Sequence, residues 1–181
     1  NRHAQLFFEA AALLTKEFED IEFVVPIVDP KIGEQLKKVL AMYLTDLKVT
    51  ITDNIHSALS ASDLVITKSG TSTLEAALHK KPMVVVYKMS SLSYWFLKIF
   101  KLVHTNYIAL PNILLGKKIV PELIQDNASS EAIYAESLLW LSNQQKVIEL
   151  QQQFDLLHSQ LQQNASFLAA SAIVKMLQQK K

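Results

Sequence analysis

The chain has 181 residues, half of them hydrophobic, a formal net charge of +1 and no cysteine. That is enough for one domain with a sizeable core, too apolar for a disordered chain, and short of the basic balance of a nucleic-acid binder. Disulfides and thiolate metal sites are excluded, as fits a reducing compartment, and no apolar run is long enough to span a bilayer.

Helical periodicity runs from His3 to Phe18, with Leu6, Phe7, Ala10, Leu13 and Leu14 on one side. The N-terminus has no signal-peptide pattern. A start at Asn1, without methionine and at the edge of a helix, predicts a piece of a longer protein. Ile21 to Val28 reads as a buried strand, with Pro26 near its end because proline cannot donate to a ladder. Asp29-Pro30 opens a second helix, with Ile32, Leu36, Val39, Leu40 and Tyr43 on one face. Leu47 to Ile51 is a short strand, and Asp53 or Asn54 caps a brief helix through Ala61. Leu64 to Thr67 is the third strand, followed by a turn and a helix to His79. Met83 to Tyr87 is the fourth, and Tyr107 to Leu110 is the candidate fifth. From Ser129 onward only helices are predicted: a Gln- and Leu-rich one over 144–163, a break at Asn164 to Ser166, and a last one over Phe167 to Leu177.

Strands alternating with helices imply parallel βαβ units, and near-continuous apolar strands imply a sheet covered on both faces. The fold class is therefore α/β, a Rossmann-like parallel sheet flanked by helices with an all-helical C-terminal segment. Residues 1–143 form the sheet domain, and 144–181 are helices that pack on it or on a further half. Ligands in such sheets bind beyond the carboxyl ends of the strands. The loops of interest follow Val28, Ile51, Thr67, Tyr87 and Leu110.

The loop after Thr67 carries the strongest signal. Ser69-Gly70-Thr71-Ser72-Thr73-Leu74-Glu75 is a strand-to-helix turn with a glycine and several hydroxyls. A helix N-terminus offers unpaired N–H groups and a partial positive charge, and so can hold a phosphate. Glu75, one helical turn on, is placed to meet a sugar hydroxyl. A nucleotide or nucleotide-sugar site fits, and so does an ordinary N-capped helix. The histidines His3, His56, His79, His104 and His158 show no metal-ligand spacing on one helix. The stretch Ser90 to Val103, with Tyr94, Trp95, Phe96 and Phe100 and with Lys98 and Lys101 between apolar residues, reads as a core helix or as one lying on a membrane.

After the turn come Lys81-Pro82-Met83-Val84-Val85-Val86-Tyr87-Lys88 and then Leu110-Pro111-Asn112. With the Ser-Gly-Thr turn and Glu75, these elements resemble the lipid-A-disaccharide synthase family of bacterial glycosyltransferases. The resemblance covers the whole chain and is most specific between Ser62 and Val120. The family pattern has arginine after the strand tyrosine, where this chain has Lys88.

The resemblance implies the nucleotide-binding, C-terminal half of a two-domain GT-B enzyme. Its partners would be a UDP-diacylglucosamine donor, a diacylglucosamine 1-phosphate acceptor, a missing N-terminal half that holds the catalytic base, and the bacterial inner membrane as a peripheral contact from the cytoplasm. It implies no metal or other cofactor and no nucleic acid. Ser69, Gly70, Thr71, Glu75, Asn112 and Ile55 would bind UDP. Tyr87 and Lys88 would be further contacts to phosphate or acceptor. Another GT-B enzyme acting on UDP-sugars, such as a UDP-N-acetylglucosamine epimerase, and a non-catalytic nucleotide-sugar-binding subunit are the alternatives.

Overall fold

Residues 2–27, 29–43, 47–89 and 106–162, with 170, 171, 173 and 175–177, are described by the computed structural model. The Ser90 to Val103 stretch and the break at Asn164 to Ser166 lie outside them, as do the side chains of Val39 and Tyr43. Five strands are described: β1 (Phe23–Pro26), β2 (Val49–Thr52), β3 (Val65–Lys68), β4 (Met83–Tyr87) and β5 (Glu122–Ile124). Every pairing is parallel, but the strands form two sheets, β1–β2 and β3–β4–β5, instead of the single sheet expected.

Helices α1 (Arg2–Glu17), α2 (Pro30–Tyr43), α3 (Ile55–Ala61) and α4 (Thr71–Leu78) alternate with the strands, as the periodicity predicts. Helix α1 packs mainly on α6 (Ser130–Leu141), and also on α2. Its buried side, Phe8, Ala10, Ala11 and Leu14, is set by helical spacing. In α2 the predicted face is only partly inward: Gly33 is buried against Ile27, Leu36 and Leu40 are half-buried, and Ile32 is 54% exposed.

The core centres on β4, where Met83, Val84, Val85 and Val86 are each fully buried. Helices on both faces exclude water from this strand, which is why it carries no polar alternation. Helix α7 (Gln144–Leu161) joins the same core through Leu150, Phe154 and Leu157. Lys80 fastens it by donating to the Phe154 carbonyl and pairing with Asp155, both at 2.8 Å. The 144–161 helix therefore packs on the sheet domain itself.

The fifth strand is not where the sequence suggested. Tyr107 and Ile108 lead into α5 (Leu110–Leu115), with Pro111 in its first turn, and the strand is β5 at Glu122–Ile124. The physical reason is Glu122. Its carboxylate accepts from the N–H groups of Ile108 and Ala109 at 2.9–3.1 Å, so these amides are not offered to a sheet.

Candidate functional site

The carboxyl ends of β3 and β4 and the N-terminus of α4 converge on the Ser69 turn. Gly70 is the N-cap of α4, at φ 151° and ψ −164°, a conformation that side-chain-bearing residues rarely adopt. The turn is fixed from below. Thr73, fully buried, donates its hydroxyl to the Gly70 carbonyl at 2.7 Å and accepts from the Leu110 N–H at 3.1 Å. Ser69 Oγ donates to the Ile108 carbonyl at 2.7 Å. Ser72 Oγ lies 2.8 Å from Thr67 Oγ1.

These bonds decide which donors remain. The Ser69 N–H goes to the Val86 carbonyl at 3.3 Å, extending the β3–β4 ladder, and its hydroxyl is also taken. Ser69 is therefore a tether of the turn, a correction to its expected phosphate role. The N–H groups of Gly70, Thr71 and Ser72 have no acceptor among the described residues. The free donor set is thus shifted one residue along the chain. It opens an eight-residue helix, whose dipole adds partial positive charge.

Asn112 requires the larger correction. It has no exposed surface, and its amide is fully engaged. Nδ2 donates to the Val120 carbonyl at 3.0 Å and to Glu122 at 2.8 Å, while Oδ1 accepts from the N–H groups of Ile119 and Val120. An amide so saturated has nothing left for a ligand. Asn112 instead orients Glu122, which holds the 108–109 backbone to which Ser69 is tied. The sequence marked the Leu-Pro-Asn motif but gave Asn112 a contact, when its work is positioning. Thr73 and Glu122 were missed. Only their place beside the marked motifs could have flagged them.

A cationic cluster flanks the turn. Lys68 ends β3, and its Nζ stands 5.8 Å from the centre of the Tyr87 ring. The His3 ring lies tilted by 49° to the same ring, with centroids 6.4 Å apart, and its Nε2 accepts the Lys88 N–H at 3.0 Å. Partial burial, and then the charges of Lys68 and Lys88, hold the His3 imidazole below its usual pKa. Lys88 Nζ donates to the Ala128 carbonyl at 3.3 Å, so this lysine is tied down beside the turn. Lys68 was not a candidate on sequence, because a lysine at a strand end is ordinarily a solvated residue.

Glu75 is half-buried and makes no side-chain hydrogen bond to another described residue. Ile55 is the first residue of α3 and is half-buried, with its side chain packed against the core. His56 and His79, distant in sequence, come within 3.2 Å across α3 and the end of α4. Among the described residues there is no cluster of three potential metal ligands, and no helix is long and apolar enough to cross a membrane.

The family model for lipid-A-disaccharide synthetase matches residues 1–176. The lipid-A-disaccharide synthase of Xylella fastidiosa strain M12 is 39% identical over 99% of this chain and 49% of its own length. That of Pseudomonas syringae pv. tomato is 41% identical over 97% of the chain and 45% of its own length. The chain thus spans about half the length of the curated relatives it matches. Among solved structures, one from Listeria monocytogenes assigned as a UDP-N-acetylglucosamine 2-epimerase superposes with a TM-score of 0.55. It is 20% identical and covers 84% of this chain and 35% of its own, a likeness of fold.

Proposed function

The chain belongs to the lipid-A-disaccharide synthase family, and we propose that it is the half of such a glycosyltransferase that binds UDP and the UDP end of a UDP-diacylglucosamine donor. On this reading the complete enzyme transfers diacylglucosamine to diacylglucosamine 1-phosphate with inversion, releasing UDP. The base that activates the acceptor hydroxyl belongs to the other half, so the 181-residue chain alone is inactive. The acylated substrates argue for work at the cytoplasmic face of the inner membrane, as a peripheral protein.

The observation that carries the proposal is the turn with its unpaired Gly70, Thr71 and Ser72 N–H groups beside Lys68. A departing diphosphate gains negative charge as the glycosidic bond breaks. Fixed N–H dipoles and a nearby cation stabilise that charge without reorganisation, so no metal is needed. Glu75 would accept from the ribose hydroxyls, and the Ile55 main chain would meet the uracil. Tyr87 and Lys88 would line the phosphate or acceptor side, with Lys88 acting as a fixed charge. The epimerase likeness concerns fold alone and adds no separate support for that activity.

Calorimetric titration with UDP, ADP and GDP is the test. UDP is expected to bind in preference to the other two, and equal affinity for all three would count against a uridine site. Glu75→Ala is expected to weaken UDP roughly tenfold or more, the worth of a charge-assisted hydrogen bond. It should also abolish discrimination against 2′-deoxy-UDP. A mutant that discriminates as well as the parent would remove Glu75 from the ribose.

A further inference from the structure

We propose that Gln125 is a positioning residue for the anion site. Its side chain takes the place of a strand, holds Lys88 and Met89 as an extension of β4, and so fixes the Lys88 charge beside the Ser69 turn. What this does for a diphosphate rests on the UDP reading above; the extension itself does not.

The ladder shows what Gln125 replaces. Strands β4 and β5 are parallel, with Tyr87 opposite Ile124, and the Val85 N–H goes to the Pro121 carbonyl at 3.1 Å. Donors on that edge recur at every second residue, so a continued ladder would take the Met89 N–H to the Gln125 carbonyl. Gln125 instead stands at φ 52°, opens the 3-10 turn Gln125–Asn127, and gives its carbonyl to the Ala128 N–H at 3.0 Å. Its side chain stands in for the lost main chain. Oε1 accepts the Met89 N–H at 2.7 Å, and Nε2 donates to the Met89 carbonyl at 3.4 Å. A carboxamide offers the same acceptor and donor as a peptide group, so the pairing goes on without the strand.

The other edge of β4 is closed in the same way. The chain after Lys68 turns into α4, and the Lys88 N–H is taken by His3 Nε2 at 3.0 Å. Lys88 Nζ is tied at 3.3 Å to the carbonyl of Ala128, the residue whose N–H closes the Gln125 turn. Past the end of the sheet, the N–H groups of residues 88 and 89 are therefore both held by side chains. Lys88 is ordered before any ligand arrives, and a preset charge serves an anion better than one that must be ordered on binding.

The backbone of Gln125 is a further indication. Left-handed backbone is unfavourable for glutamine, which lacks the freedom of glycine, and such strain persists only where the surroundings over-determine it. Glycine at 125 would relieve the strain, but it has no amide to offer Met89.

The test uses the whole protein that contains this chain, titrated with UDP and with uridine. Gln125→Ala keeps the strain and loses the clamp, whereas Gln125→Gly loses both. Each should weaken UDP roughly tenfold, the worth of a charge-assisted hydrogen bond, and leave uridine unchanged. In a Lys88→Met background Gln125→Ala should cost nothing more, because its effect runs through Lys88. Equal losses for UDP and uridine, or losses that add in the double variant, overturn the positioning role. Two readouts need no nucleotide. In Gln125→Ala the Met89 amide should lose its protection from hydrogen exchange, and the His3 midpoint should rise as the Lys88 charge and N–H draw away. A protected Met89 amide and an unmoved His3 midpoint overturn the extension itself. A parent protein that binds UDP no more tightly than uridine sinks the UDP reading, and these two readouts then decide the extension alone.

Discussion

The β3–β4–β5 half and the β1–β2 half are built from similar sequence and end in different states. Met83-Val84-Val85-Val86 is wholly buried, flanked by strands on both sides and covered by α4 and α6. Phe23-Val24-Val25 is as apolar, yet each residue stays partly exposed, because β1 has one neighbouring strand among the described residues. Apolar sequence makes a strand suitable for burial; neighbours do the burying. The same contrast separates the residues that hold the site, Thr73, Asn112 and Glu122, from those left open to act on a ligand.

The largest expected effect lies in the buried half. Phe154→Ala should cost about 3–5 kcal/mol in urea unfolding, since a fully buried ring leaves a cavity. Phe23→Ala in β1 should cost distinctly less. Equal losses would mean that the two halves are equally packed.

Asn112→Ala comes next. It strands the Ile119 and Val120 amides and removes a donor from Glu122, at about 1–3 kcal/mol for each buried group left unpaired. UDP affinity should fall too, because the 108–109 backbone that anchors Ser69 loosens. A variant of parental stability with weakened UDP binding would return Asn112 to direct contact.

Gly70→Ala should cost about 1–3 kcal/mol, the strain of holding a side-chain-bearing residue at φ 151°. The strain is local to the turn: beyond Gly70 and its neighbours in the chain, no atom of the described residues lies within 4 Å of the added carbon. Gly70→Ala crystals with the turn unmoved and stability unchanged would refute the strain argument.

The smallest effect is that of His3. Its folded pKa is lowered, so the unfolded chain binds the proton more readily. The contribution of His3 to stability is full above the unfolded value of about 6.5 and is lost as pH falls from there toward the folded pKa. His3→Gln should flatten that part of the stability curve. If UDP sits by the turn, it neutralises the lysines, and the His3 midpoint in an NMR titration moves upward. A midpoint unmoved by saturating UDP would place the diphosphate elsewhere.

Much of this was legible in the sequence because local signals were strong. Periods of 3.6 and the apolar runs gave α1 to α4 and β1 to β4 close to their observed bounds, and Ser-Gly-Thr after a strand gave the turn. These depend on residues within a few positions of one another. What the tertiary structure alone decided depends on distance. Glu122 turned 107–110 from a strand into the lead of a helix by taking its amides from more than ten residues away. Val86 and Ile108 used up Ser69 and moved the free donors to Gly70–Ser72. Asn112 became a strut because Val120 and Glu122 returned to it, and His3 became part of the site because α1 begins beside β4. A hydrogen-bonding group has only a few partners to give, and which ones it meets is settled by the packing of the whole chain.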